Sequence, residues 1–238
     1  ITEAEALDFT EMVTDPTCSG DGTGAIEMTA TGGTAPYEYS IDDGVTYQTS
    51  NLFTALAGGD YSTTVKDAND CESNHMVTIT EPAALSFTET VTDIDCSGDD
   101  SGAIEITATG GTAPYEYSID DGVTYQTSNL FTALAGGDYS TTVKDANDCE
   151  SNHMVTITEP VALSFTETVT DPACNDDGTG AIEITATGGT APYEYSIDDG
   201  VTYQTSNLFT SLAGGDYSTT VKDANDCESN HMVTITEP

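Results

Sequence analysis

Short runs in which apolar and polar residues alternate recur along the chain, broken about every eight to twelve residues by Gly, Pro, Asn, Asp or Ser. Period-two alternation sends successive side chains to opposite faces of a strand, and this spacing of turns predicts an all-β sandwich. In the middle of the chain, Ala103 to Ala108 places Ile104, Ile106 and Ala108 on one face. Tyr115, Tyr117 and Ile119 share a face, with Glu116 and Ser118 opposite. Asp120-Asp121-Gly122 suits a tight hairpin, since Gly supplies positive φ cheaply, and Val123-Thr124-Tyr125-Gln126 returns. Tyr139, Thr141 and Val143 alternate again, and Val155 and Ile157 close the set. Glu89 falls on the otherwise apolar face of Leu85, Phe87 and Val91, a break that the pattern does not explain. No 3.6-residue periodicity lasts two turns, so no helix is predicted.

The pattern repeats. Cys18, Cys96 and Cys174 stand 78 residues apart, as do Cys71, Cys149 and Cys227, and Tyr37, Tyr115 and Tyr193, with no insertion or deletion. Residues 1–4, Ile-Thr-Glu-Ala, match in their first three letters the Ile-Thr-Glu-Pro that ends each copy, so they read as the tail of a preceding repeat in a longer array. The expected domains are 5–82, 83–160 and 161–238, arranged end to end through short Pro-containing junctions. From Ala30 to Pro82 and from Ala108 to Pro160 the copies are identical letter for letter, which points to recent duplication. Leu134-Ala135-Gly136-Gly137-Asp138-Tyr139 has the form of a tyrosine corner, so each unit is expected to be an immunoglobulin- or fibronectin-III-like sandwich.

Charge narrows the function. The 238 residues carry 42 acidic side chains against three lysines, a formal net charge of −39. Three cations cannot neutralise a run of phosphates or hold an anionic membrane surface, so nucleic acid and membrane insertion are excluded as partners. No stretch of 18 apolar residues is present, and the residues from Ile1 onward do not read as a signal peptide. Hydrophobic residues make up 37% of the chain, too many for a disordered acidic tail. His75, His153 and His231 recur without a Ser or Cys partner at recognisable spacing, and Gly-Gly marks hairpins rather than a phosphate loop. The chain reads as no enzyme. It holds no Asn-x-Ser/Thr sequon, although Thr and Ser on solvent faces could carry O-linked glycans.

Two cysteines per unit, without metal-like C-x-x-C spacing, argue for disulfides in an oxidising compartment. The simplest pairing lies within each unit: Cys18–Cys71, Cys96–Cys149 and Cys174–Cys227. Each such bond would stabilise by about 4 kcal/mol on the chain-entropy model. Strand parity sets a rival beside it. In a plain seven-strand layout the two cysteines of a unit fall at opposite poles, and the bonds become Cys18–Cys149 and Cys96–Cys227. The cysteines are flanked by acids: Asp15 and Asp21 with Asp67, Asp70 and Glu72; Asp93, Asp95, Asp99 and Asp100 with Asp145, Asp148 and Glu150; Asp171, Asp176 and Asp177 with Asp223, Asp226 and Glu228. Drawn together, such loops are candidate calcium ligands, with solvated acidic loops as the alternative.

The segments Thr109-Gly110-Gly111-Thr112-Ala113-Pro114-Tyr115-Glu116-Tyr117-Ser118, Leu134 to Tyr139, and Val143-Lys144-Asp145-Ala146-Asn147-Asp148-Cys149 resemble the SprB repeat, as does Cys96 with Gly102-Ala103-Ile104 behind it. Asn147-Asp148 stands where that family usually has Asn-Gly. The resemblance covers nearly the whole period. It implies a large secreted adhesin of gliding, surface-colonising Bacteroidota, at the cell surface and built of many immunoglobulin-like modules, with no catalytic residues. Two functions follow: a structural stalk or fibre whose repeats add length, or a repeated glycan- or protein-binding module acting by avidity. The absence of Trp favours the stalk. Expected partners are further copies of the repeat and other chains in a fibre.

Overall fold

The computed structural model describes residues 5–174 and 178–238, in which strands and loops occur without a helix. The chain forms two compact units, Ile1–Thr88 with Ile106–Asn129 and Ser140–His153, and Glu89–Glu105 with Leu130–Tyr139 and Met154–Pro238. The first repeat lies within one unit and the third within the other.

In the first repeat the strands are β1 (Asp8–Thr14), β2 (Gly24–Thr31), β3 (Glu38–Ser40), β4 (Leu52–Leu56), β5 (Gly59–Lys66) and β6 (Glu72–Ile79). They form two three-stranded antiparallel sheets, ordered β1-β2-β4 and β3-β5-β6. β1 pairs with β2 from Asp8↔Thr31 to Thr14↔Ala25, and β5 with β6 from Gly59↔Ile79 to Lys66↔Glu72. Alternation brings Phe9, Ile26, Met28, Tyr39, Val65 and Ile79 to one core. Each fully buried aliphatic side chain there stabilises by roughly 1.5–3 kcal/mol.

The middle repeat has β7 (Ser86–Thr92), β8 (Gly102–Thr109), β9 (Glu116–Ser118), β10 (Leu130–Leu134), β11 (Gly137–Lys144) and β12 (Glu150–Ile157), in sheets β10-β8-β7 and β12-β11-β9. The third has β13 (Ser164–Thr170), β14 (Gly180–Thr187), β15 (Glu194–Ser196), β16 (Leu208–Leu212), β17 (Gly215–Lys222) and β18 (Glu228–Ile235), ordered β13-β14-β16 and β15-β17-β18. Its core is Phe165, Ile182, Ile184, Val221 and Ile235. Ile184 stands where the first repeat has Met28, a swap of similar volume that a β core tolerates.

The tyrosine corner forms in every repeat. Tyr61, Tyr139 and Tyr217 donate their hydroxyls to the carbonyls of Ala57, Ala135 and Ala213 at 2.9, 2.9 and 3.0 Å. The hairpin at Asp120-Asp121-Gly122 also forms, with Asp121 and Gly122 both left-handed (φ 60° and 76°). Ser118 corrects the alternation: it is fully buried rather than facing solvent with Glu116. Its hydroxyl donates to Asp120 and accepts from the Gly122 N–H, so the hairpin folds back over its own strand. Gly32 is needed as glycine. At φ +66° a Cβ would meet the Ala6 carbonyl oxygen at 2.0 Å, and the Gly32 carbonyl accepts the Tyr37 hydroxyl.

Candidate functional site

The six strands leave the two cysteines of a repeat at different ends, and hydrogen bonds in the first repeat fix which. Cys18 follows β1. There Asp15 Oδ1 accepts the N–H of Thr80, just past the end of β6, and Glu81 accepts the Gly20 N–H at 3.1 Å. Cys71 lies between β5 and β6, at the end where β1 begins: the Gly33 N–H donates to the Glu5 carbonyl, and Thr34 bonds Asp67. An additional pass produces this. Gln48 pairs with Tyr39 in an antiparallel bridge, so the chain crosses the sandwich once more between β3 and β4. Five passes therefore separate the two turns, an odd number, and the turns end at opposite poles.

The favoured pairing within each repeat is thereby corrected. The disulfides are Cys18–Cys149 and Cys96–Cys227, each with a sequence separation of 131, and each lies within one compact unit. Closing a loop of that length stabilises by roughly 5 kcal/mol on the chain-entropy model. The expectation that every cysteine is bonded is corrected with it: Cys71 is an exposed thiol. Cys174 is exposed as well.

The late loop is organised by one carboxylate. Asp67, 5% exposed, accepts the N–H groups of Asn69 (2.8 Å) and Cys71 (2.9 Å) on one oxygen and of Thr34 (2.9 Å) on the other. The Cys71 N–H, foremost among these donors, holds that carboxyl below the ordinary carboxylate value. Asp145 and Asp223 accept the same three N–H groups in their own loops. In the bonded copies the asparagine adds a hydrogen bond beside the disulfide: Asn147 Nδ2 donates to the Thr17 carbonyl at 3.2 Å, and Asn225 Nδ2 to the Asp95 carbonyl at 3.1 Å. A cleft of about 330 Å³ opens beside Cys96–Cys227, lined by Ser97, Asp99, Ala162, Leu163, Asp226 and Glu228, with no aromatic side chain.

Several of the acids singled out as candidate metal ligands accept N–H and O–H groups within the fold. Asp15, Asp93 and Asp171 accept the N–H groups of Thr80, Thr158 and Thr236. Asp21 accepts both the N–H and the hydroxyl of Thr23, which lower its pKa. Glu72, Glu150 and Glu228 each accept a tyrosine hydroxyl at 2.7 Å, from Tyr47, Tyr125 and Tyr203. Burial of Tyr47, followed by this bond, pushes its hydroxyl up to about 12. Lys66 Nζ sits 4.2 Å from the centre of the same ring and 2.8 Å from Glu38. Asp70, Asp148 and Asp226 occupy left-handed turn positions, the last two 3.9 and 3.4 Å from Lys144 and Lys222. Asp95 contributes its carbonyl, Asp99 lines the cleft and Asp100 is exposed. Asp176 and Asp177 lie outside the described residues. Among the described residues no group of three or more His, Cys, Asp and Glu is placed to hold a metal ion.

Two sets of residues escaped the sequence pattern. Glu81, Glu159 and Glu237, read only as junction residues, hold loops. Glu159 accepts the Ser97 hydroxyl and the Gly98 N–H, which lower its pKa, and Glu81 and Glu237 accept the N–H groups of Gly58 and Gly214. The inward acid seen at Glu89 is explained by its copies. Glu11 accepts the Thr63 hydroxyl at 2.9 Å and lies 3.1 Å from His75 Nδ1, while the His75 ring stacks on Phe9 at 4.3 Å. Glu167, Thr219, His231 and Phe165 repeat the arrangement. The histidine is thus a fixture joining the two sheets. The one signal in the sequence is an acid on an apolar strand face; its partners, a fully buried threonine and a histidine, stand 52 and 64 residues away, too distant for periodicity to link.

Comparison with known proteins agrees with the residue pattern. The SprB repeat family matches at residues 10–46, 88–124 and 166–202, once in each period, so each period is similar to the SprB repeat. No curated protein matches. Among solved structures, the N-terminal eight Ig domains of Down Syndrome Cell Adhesion Molecule align with 95% of this chain and 36% of that one at 9% identity and a TM-score of 0.44. Protocadherin Gamma B7 extracellular cadherin domains 1–4 align with 96% of this chain and 71% of that one, at 12% identity and a TM-score of 0.34. Domains 1–6 of the surface layer protein SbsC align with 100% and 41%, at 12% identity and a TM-score of 0.31. The chain spans about a third of the first of these structures. Among the described residues no helix is long and apolar enough to cross a membrane.

Proposed function

We propose that this array of SprB-like repeats is a tension-bearing spacer of an extracellular adhesin, in which consecutive repeats are covalently cross-tied. One observation carries the reading: the disulfides interleave, Cys96 lying inside the loop closed by Cys18–Cys149 and Cys149 inside the loop closed by Cys96–Cys227. The shortest covalent route from Ile1 to Pro238 runs to Cys18, across to Cys149, back to Cys96, across to Cys227 and onward. That is about 80 residues of backbone in place of 238. Load passing along that route leaves most of the polypeptide slack even after its sheets come apart. The SprB match and the disulfides support an extracellular, adhesion-related repeat. The acids serve as turn-makers in this proposal, and the cleft by Cys96–Cys227 offers no aromatic platform for a sugar ring.

Single-molecule stretching of the whole chain tests the reading. At about 3.5 Å per residue, the oxidised chain should stop at roughly a third of the extension reached after reduction. Full extension without reductant overturns the spacer mechanism. Saturable binding of the chain to a glycan or protein surface, unchanged by reduction, would move the function to recognition.

A further inference from the structure

In both disulfides the cysteines are also held by their backbones. The late cysteine is clamped by one residue: the Asp145 carboxylate accepts the Cys149 N–H at 3.0 Å, and the Asp145 N–H donates to the Cys149 carbonyl at 3.0 Å. Asp223 holds Cys227 at the same distances. The clamp needs no sulfur–sulfur bond, since Asp67 makes the same two contacts to the unbonded Cys71 at 2.9 and 3.0 Å. The first-turn cysteine is held from its own side. It stands two residues past a buried anchor, Pro16 or Ile94, and the Ile94 N–H donates to the Thr158 carbonyl at 3.0 Å. Two residues further on, the Gly20 N–H reaches Glu81 and the Gly98 N–H reaches Glu159. One hydrogen bond then joins the two loops beside the sulfurs, from Asn147 Nδ2 to the Thr17 carbonyl or from Asn225 Nδ2 to the Asp95 carbonyl. Each asparagine is aimed by its own loop, through a second bond to Thr112 Oγ1 at 3.1 Å or Thr190 Oγ1 at 3.3 Å. Asn69 makes that bond to Thr34 Oγ1 at 3.0 Å with no disulfide beside it.

We infer that Asn147 and Asn225 are the positioning residues of the two disulfides, keeping each cysteine pair in register through reduction so that the bond reseals between the same two sulfurs. The loops have reason to part. Asp99, Asp226 and Glu228 line the cleft beside Cys96–Cys227, and like charges separate once the covalent bond is open. The neutral asparagine opposes that separation at the residue next to the cysteine. A thiol held beside its partner has a far higher effective concentration than one on a loop that has swung away. Asn147 serves one disulfide and Asn225 the other, so each bond should answer to its own asparagine alone. The inference does not rest on the spacer reading, because it concerns how a bond re-forms and not how far the chain extends.

A glutathione couple carries the exchange in both directions. In resealing, one protein thiolate attacks oxidised glutathione and expels a glutathione thiolate. The second protein thiolate attacks the protein sulfur of that mixed disulfide and expels the other. Two electrons and two thiol protons pass from the protein to two molecules of glutathione as the S–S bond forms, and reduction runs the same steps backwards. The four cysteines are half-buried, so a small thiol can reach them.

Equilibrating the whole chain across a series of reduced-to-oxidised glutathione ratios tests this. Thiols exposed in the oxidised chain are alkylated beforehand, and the remainder are trapped with a second reagent at the end. Tryptic fragments then report each bond separately, 1–66 joined to 145–222 and 67–144 joined to 223–238. Asn147→Ala should move Cys18–Cys149 toward its reduced form about two- to tenfold, the effect of one hydrogen bond and equal to about 10–30 mV, while Cys96–Cys227 stays where it was. Asn225→Ala should do the reverse. Both asparagines are exposed, so the oxidised variants should keep the circular dichroism of the parent chain. Reduced without denaturant and returned to oxidised glutathione, the parent should regain the same two fragment pairs. An unmoved Cys18–Cys149 equilibrium in Asn147→Ala, equal shifts in both disulfides, or scrambled pairs on reoxidation of the parent overturns the inference.

Discussion

The two loops that meet at each disulfide are built on opposite plans. The late loop has one sequence in all three repeats and closes on its own buried carboxylate, Asp67, Asp145 or Asp223. The first-turn loop varies: Pro16-Thr17-Cys18, Ile94-Asp95-Cys96 and Pro172-Ala173-Cys174. In the first two copies it is held from outside, by Glu81 or Glu159 near the end of the last strand. The late loop reads a backbone carbonyl, that of Thr17 in one bond and Asp95 in the other, so the side chain before the cysteine goes unread. A rigid socket that recognises a carbonyl and a thiol accepts a plug of varied sequence.

Connectivity is where this contrast can be broken most completely. Lys66, Lys144 and Lys222 are the three residues after which trypsin cuts. With exposed thiols alkylated first, a complete non-reducing digest should yield two covalent pairs. Fragment 1–66 should be joined to 145–222 through Cys18–Cys149, and 67–144 to 223–238 through Cys96–Cys227. Pairing within each repeat would instead join all four fragments into one species, and mass spectrometry separates the two outcomes without ambiguity.

The next effect is in stability and compares the plans directly. Asp223→Ala strips the acceptor from the N–H groups of Thr190, Asn225 and Cys227 at a carboxylate that is itself buried, and should lower the unfolding free energy by about 3 kcal/mol. Glu159→Ala removes the hold on Ser97 and Gly98 at an exposed site where water replaces the carboxylate, so its effect should be much smaller. Denaturant melts of the two variants check the order. Equal losses would mean that the socket is no more preorganised than the plug.

The sandwich was legible because its signals are local. Alternation marks Ile104 and Ile106, which are fully buried, and Leu-Ala-Gly-Gly-Asp-Tyr places a tyrosine four residues from the carbonyl it bonds. The cysteine pairing turned on one short segment. Whether Val123 to Leu134 makes one pass or two decides the parity, and the single bridge at Gln126 is too slight to leave a periodic trace. The acids were visible as clusters but not as turn-makers. A carboxylate bound by backbone N–H groups and one bound by a cation look alike in sequence, and loop geometry alone distinguishes them.

The smallest effect is in the hairpins, where Asp42, Asp120 and Asp198 hold the turn. The Asp198 carboxylate accepts the Thr202 hydroxyl at 2.6 Å, the Thr202 N–H at 2.9 Å and the Ser196 hydroxyl at 2.7 Å. These bonds, the Thr202 hydroxyl foremost, favour the charged form and lower the pKa from 3.8 to about 2. A depressed carboxyl stabilises the folded turn fully above its unfolded value of about 3.8, and that contribution is lost as pH falls through about 2. The hairpin is exposed, so the global melt should barely register the change, whereas the Thr202 amide proton should. Followed by NMR, that resonance should titrate with a midpoint near 2, well below the ordinary aspartate value of 3.8. In Asp198→Asn, which keeps an acceptor oxygen but cannot ionise, the titration should vanish while the hairpin persists. A Thr202 amide that titrates near 4 would show that water, rather than the turn, solvates the Asp198 carboxylate, and that the hairpin is held by its left-handed pair Asp199 and Gly200 alone.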